Sequence, residues 1–197
     1  MANRFYPTEW ISSTYRIDFE RLYREGYRGL IFDIDNTLVP HGAPADDRAV
    51  ALFERLRQIG FSLCLLSNNK KKRVDLFNKD VNVHAIWMAN KPLKAGYIRA
   101  MELMETSLRD TVYIGDQLFT DVWGASRMGM FTILVSPINP REEIQIVLKR
   151  LIERPVLSAY RKSALFSRAH ELSDKNGEEK RSETPGGLPG VSIKENN

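Results

Sequence analysis

The 197 residues contain a single cysteine, Cys64, so neither an intrachain disulfide nor a cysteine-built zinc site is open to the chain. Histidine is almost as scarce: His41, His84 and His170 are all there are, and their separations offer no metal-ligand spacing. Long apolar runs are missing too. The longest, such as Leu63 to Leu66, are strand-sized, far short of a membrane span. The opening Met-Ala-Asn-Arg-Phe-Tyr-Pro has no apolar segment of the kind a secretory signal carries. These absences predict a soluble protein of a reducing, cytoplasmic compartment. What is present is ordinary in bulk: 43% hydrophobic and 27% charged residues exclude wholesale disorder, and the length suits one α/β domain. The net charge of +4 leans weakly toward anionic partners and decides little alone.

Short apolar runs alternate with helical patterns through the middle of the chain, the signature of βαβ units and a parallel sheet. Strands are predicted over Gly29–Ile34, Phe61–Ser67, His84–Met88, Thr111–Asp116 and Phe131–Val135. Between them, Asp46–Ile59 carries Ala49, Leu52, Phe53, Leu56 and Ile59 at helical spacing, and Gly60 stops it. Helices are likewise expected from Lys70 to Asn78, Leu93 to Glu105 and Phe119 to Met128, the last closed by Gly129. The domain plan is a helical segment over 1–28 packed on the core, an α/β domain over 29–140, basic amphipathic helices over 141–172 and a disordered tail over 173–197. Trp87, Trp123 and most other aromatics are read as core.

The densest chemistry lies in Asp33-Ile-Asp-Asn-Thr37, directly after a buried strand. Asp33 and Asp35 emerge at the strand's C-terminal edge, where open α/β sheets bind ligands. Two carboxylates so close repel unless a cation or proton lies between them. A divalent ion with oxygen ligands meets that need, and Mg²⁺ is usual where phosphate also enters. Asp33 can then act as a carboxylate nucleophile, with Asp35 placed as general acid and base. Ser67 ends the second strand, where it can donate to a phosphoryl oxygen, cap the helix that follows, or do both. Lys91, in Asn90-Lys-Pro92, can aim an ammonium at developing negative charge, and Lys94 competes for that role. Asp116 ends the fourth strand as a further metal ligand, while Asp121 can hold either Lys91 or a metal-bound water.

Taken together, these segments resemble the haloacid dehalogenase (HAD) superfamily of aspartate-nucleophile phosphatases. The likeness runs from about Leu30 to Val135, with four motifs in order. It implies a three-layer α/β/α Rossmann-like fold with a five-stranded parallel sheet in the order 5-4-1-2-3. It also implies Asp33 as nucleophile, Asp35 as acid/base and Lys91 as the charge-stabilising lysine. Thr37, Ser67 and Asn68 become the phosphate site. The metal ligands for Mg²⁺ become Asp33, the Asp35 carbonyl and Asp116, with Asp121 in support. Within the superfamily, Phe32-Asp-Ile-Asp-Asn-Thr-Leu-Val39, Ser67-Asn-Asn69, Lys91-Pro92 and Gly115-Asp-Gln-Leu-Phe-Thr-Asp-Val122 are similar to the bacterial YqeG family of subclass IIIA. A fungal mitochondrial phosphatidylglycerophosphate phosphatase resembles the same family, so a lipid phosphate becomes a candidate substrate.

About thirty residues separate Thr37 from Ser67, and about two dozen separate Ser67 from Lys91. Neither interval has room for an inserted cap domain. The expected site is therefore open, suited to a bulky phosphorylated substrate such as a lipid at the inner face of a membrane, or lidded by a second subunit. The basic residues of 141–170 suit anionic lipid or simple docking on the domain. Lys70-Lys-Lys-Arg73 is either a solvated first helical turn or an anion-related feature. Neither run has the interleaved aromatics of a nucleic-acid surface. A competing reading is a receiver-like phospho-acceptor domain, from which Asp35 is the distinguishing residue, since it should make a phospho-aspartate short-lived.

Overall fold

The computed structural model describes residues 6–139. The stretches 141–172 and 173–197, with their expected helices and tail, lie outside the described residues, as does the start of the 1–28 segment.

The central strand β2 (Gly29–Phe32) is buried at every position, as a parallel strand covered on both faces must be. It is flanked by β3 (Ser62–Leu66) and β5 (Thr111–Gly115), with Phe32 opposite both Leu65 and Ile114. Beyond them lie β4 (His84–Ile86) on one side and β6 (Phe131–Val135) on the other, every pairing parallel. These five strands follow the expected order.

Alternation along the strands builds two cores. Leu30, Phe32, Leu63, Leu65, Val112 and Ile114 pack with α1 (Phe19–Arg24), α2 (Asp47–Ile59) and α3 (Lys71–Val81). Ile31, Cys64, Leu66 and Tyr113 face the opposite way, toward α4 (Lys94–Met104) and α5 (Trp123–Ser126). The result is the three-layer α/β/α arrangement. Helix α2 shows how local chemistry sets an element: Asp46 caps it by accepting the Ala49 N–H at 2.8 Å, and Gly60 closes it at φ 108°.

Three expectations need correction. The sheet has six strands, because β1 (Glu9–Ile11) adds to the edge of β6, with Trp10 opposite Leu134. Three residues are too few to show a period, and the pairing is set by partners more than a hundred positions away. Next, the stretch Phe119–Met128 is not one α-helix. A π-turn over Leu118–Val122 precedes the four-residue α5, and both the Asp121 and Val122 N–H groups donate to the Gln117 carbonyl. Third, Trp87 is 43% exposed rather than core. It lies just past the short edge strand β4, with the Lys71 ammonium 5.2 Å from its ring centre.

Candidate active site

The loops at the C-terminal edge of β2, β3, β4 and β5 bring most of the expected residues together. After β2 the chain turns sharply: Asn36 takes φ 63°, its N–H donates to the Val39 carbonyl, and the Leu38 N–H returns to the Ile34 carbonyl. Two side chains from the N-terminal segment hold this turn in place. The Thr14 hydroxyl donates to the Thr37 carbonyl at 2.7 Å, and the Tyr15 hydroxyl to the Leu38 carbonyl at 2.6 Å. The turn is thus braced from the N-terminal segment, more than twenty residues earlier in the chain.

Asp33, Thr37, Asp116 and Asp121 are all buried. One carboxylate oxygen from each of Asp33, Asp116 and Asp121 lies within 4.8 Å of the others. The Thr37 hydroxyl sits between two of these acids, 3.5 Å from Asp33 Oδ2 and 3.4 Å from Asp116 Oδ1. Lys91 reaches into the cluster, and Lys94 stays exposed on α4. The Lys91 ammonium donates to Asp33 Oδ1 at 2.6 Å, Asp121 Oδ1 at 2.8 Å and the Tyr113 hydroxyl at 3.1 Å, so its three protons are all used. Behind it the Asn68 amide holds the Lys91 backbone from both sides. Oδ1 accepts the Lys91 N–H at 2.7 Å, and Nδ2 donates to the Lys91 carbonyl at 3.2 Å.

Asp121 faces inward because the π-turn aims it there and Gly115 leaves room. A Cβ added to Gly115 would lie 2.6 Å from Asp121 Oδ2. Asp121 Oδ1 also accepts from the Tyr113 hydroxyl at 2.9 Å, and Oδ2 accepts the Gln117 N–H at 3.0 Å. Both Asp121 oxygens are engaged in this way, and Asp121 anchors Lys91.

Burial pushes the Asp33 carboxyl up to about 6; Lys91 opposes the rise and Asp121 adds to it. Burial alone would lower the Lys91 ammonium, but Asp121 and Asp33 together reverse that and hold it above its ordinary value. The two shifts agree once the charges are counted. Three buried carboxylates around one ammonium leave an excess of two negative charges, the quantity a divalent cation would offset. An all-oxygen donor set suits a hard ion of that charge.

Asp35 lies apart from this cluster in its bonding. Its Oδ1 accepts the Gly42 N–H at 2.7 Å and the Arg73 Nε and Nη2 groups at 3.1 and 2.8 Å, and its Oδ2 accepts from Asn69 Nδ2 at 2.6 Å. His41, a loop residue 54% exposed at its side chain, stands 3.9 Å away. Ser67 is buried, and its hydroxyl accepts the Asn69 N–H at 3.2 Å; the N-cap of α3 is Lys70.

Three participants carry little or no sequence signal. Tyr113 reads as one more apolar strand residue. Asn69 stands in the Ser67-Asn-Asn69 motif, but nothing in the sequence gives its side chain a partner in Asp35. Arg73 belongs to the basic first turn of α3, whose cations at the positive end of a helix dipole were the only hint.

The HAD-hydrolase-like family profile matches residues 88–143. The probable phosphatase YqeG of Bacillus subtilis (strain 168) is 37% identical over 159 residues, covering 80% of this chain and 92% of that protein. The chloroplastic/mitochondrial phosphatidylglycerophosphate phosphatase 1 of Arabidopsis thaliana is 26% identical over 175 residues, covering 79% of this chain and 48% of that protein's length. Among solved structures, a HAD phosphatase from Thermococcus onnurineus aligns with a TM-score of 0.41 at 21% identity, covering 55% of this chain and 58% of that one.

Proposed function

This chain belongs to the YqeG family of HAD phosphatases, and from that premise we propose that it hydrolyses a phosphate monoester through an aspartyl-phosphate on Asp33, with Mg²⁺ as cofactor. The observation that carries the reading is the Lys91 ammonium bridging Asp33 and Asp121 beside Asp116 and Thr37. One buried cation there fixes the nucleophile and faces the oxygens on which charge develops.

In the first half-reaction a carboxylate oxygen of Asp33 forms a bond to phosphorus as the ester P–O bond breaks. Asp35 gives its proton to the departing alcohol. In the second half-reaction a water attacks phosphorus and yields its proton to Asp35, and the bond to Asp33 breaks to release phosphate. Lys91 balances charge on the phosphoryl oxygens in both steps and stays anchored by Asp121 and Tyr113. Thr37 and Ser67 offer hydroxyls to those oxygens. The Asn68 side chain is engaged with the Lys91 backbone, so its part in phosphate binding falls to its own N–H. Mg²⁺, held by Asp33, Asp116 and the Asp35 carbonyl, would neutralise charge on the transferring group, the dominant catalytic contribution in phosphoryl transfer.

Between Thr37 and Ser67 the chain builds α2 and β3, and between Ser67 and Lys91 it builds α3 and β4, with no inserted lid. An open site of this kind accommodates a bulky substrate. Phosphatidylglycerophosphate is the candidate, supported by the distant likeness to a protein of that named activity. No helix among the described residues is long and apolar enough to cross a membrane. The test has two stages. Hydrolysis of an aryl phosphate should require Mg²⁺ and vanish in Asp33→Asn; retained turnover in that variant rejects the mechanism. Cells depleted of the protein should accumulate phosphatidylglycerophosphate, and an unchanged lipid profile rejects that substrate in favour of another phosphorylated metabolite or protein.

A further inference from the structure

We propose that Arg73, with Asn69, is a positioning residue that fixes the carboxylate of Asp35 for proton transfer. The inference rests on Asp35 serving as the acid/base of the reaction proposed above.

The geometry is specific. Arg73 turns two nitrogens of one guanidinium onto Asp35 Oδ1, at 3.1 Å from Nε and 2.8 Å from Nη2. The Gly42 N–H reaches the same oxygen at 2.7 Å from the opposite loop. Three donors on one oxygen leave it little capacity to carry a proton. The other oxygen, Oδ2, accepts a single hydrogen bond, from Asn69 at 2.6 Å. The clamp therefore distinguishes the two oxygens and makes Oδ2 the one that exchanges protons.

Two further features fit this role. Arg73 Nη1 is buried without a hydrogen-bond partner, one of two such side-chain atoms among the described residues. Arg73 thus commits Nε and Nη2 to a single acceptor oxygen of Asp35. The basic first turn of α3 also divides by function. Lys71 pairs with Asp75 at 2.6 Å on the surface, whereas only 14% of the Arg73 side chain is exposed. The unfavourable placement of cations at this helix start is thus offset, at Arg73, by a carboxylate in front of it.

A double-mutant cycle tests the inference on the full-length, Mg²⁺-loaded protein, with an activated aryl phosphate as probe so that residual rates stay measurable. Arg73→Ala is expected to lower kcat by roughly tenfold or more, a fraction of what general acid–base catalysis supplies, with KM nearly unchanged. In an Asp35→Asn background the same change should alter kcat by less than about twofold, because the group it positions is already lost. The loss in Arg73→Ala should grow when an alkyl phosphate, whose leaving group needs the proton more, replaces the aryl ester. Asn69→Ala should show the same pattern, and Arg73→Lys should recover part of the rate while keeping the charge. Lys72→Ala, an exposed neighbour, should match the parent protein. Equal losses for Arg73→Ala in both backgrounds would show a merely structural role and overturn the inference, as would an unchanged kcat in Arg73→Ala, Asn69→Ala and Arg73→Lys. Full activity in Asp35→Asn alone would instead remove the acid/base reading, and the inference with it.

Discussion

Asp33 is held in a state that costs the folded protein something. Its carboxyl, ordinarily near 3.8, is pushed up to about 6 by burial, with Asp121 adding to the rise against the pull of Lys91. A folded value above the unfolded one means that the native state binds the extra proton between the two. The ionised carboxyl therefore destabilises the fold at pH above about 6, and the cost is relieved as pH falls through 6 toward 4. Asp33→Asn is expected to melt at a higher temperature than the parent in metal-free, mildly alkaline buffer, while its turnover vanishes. A lower melting temperature there would show that the acid contributes net stability instead. Gly115 makes the opposite case. A methyl group placed 2.6 Å from Asp121 Oδ2 must displace the anchor of Lys91. Gly115→Ala should cost roughly a hundredfold in kcat/KM, the scale of a misplacement of about 1 Å; near-parent kinetics would mean that Asp121 is dispensable.

Among the elements, the short α1 does more than its six residues suggest. Phe19 is fully buried, with its ring centre 6.3 Å from that of Phe32 and 6.5 Å from that of Phe61. Phe19→Ala should lower unfolding free energy by about 3–5 kcal/mol, read from urea titration; a loss under about 1 kcal/mol would mean that the neighbours collapse into the gap. Legibility also varies by element. The five strands β2 to β6 could be read from sequence as short apolar runs, and α2 from its helical period and the stop at Gly60. Strand β1 could not, being three residues whose partners lie across the molecule, although the Glu9 carboxylate is gripped by Arg21 Nη2 at 2.8 Å on both oxygens. Nor could the π-turn, since Phe119–Met128 carries an ordinary helical pattern and the widening comes from Gln117 accepting two N–H groups. The site divides in the same way. Asp33, Asp35, Lys91 and Asp116 stood out through their spacing after strands. Tyr113 and Arg73 did not, because a tyrosine inside a strand and an arginine in a cationic run look like packing and solvation.

For the molecule as a whole, cation binding and folding should be linked. Excess negative charge at one sheet edge predicts that Mg²⁺ raises the melting temperature, by roughly 5–10 degrees if the ion is at about 100 times its Kd. Because the ion and the proton compete for Asp33, that rise should shrink as pH drops from about 7 to about 5. A shift of constant size across this range would place the ion elsewhere. The parallel sheet has a further consequence. Asp33, Lys91 and Asp116 meet only after β2 has paired with β5, some eighty residues later in the chain. Such distant contacts form slowly during folding, so no nascent or fragmentary chain can assemble the constellation early. Recovered turnover after dilution from denaturant would then serve as a late clock, trailing the return of helical circular dichroism.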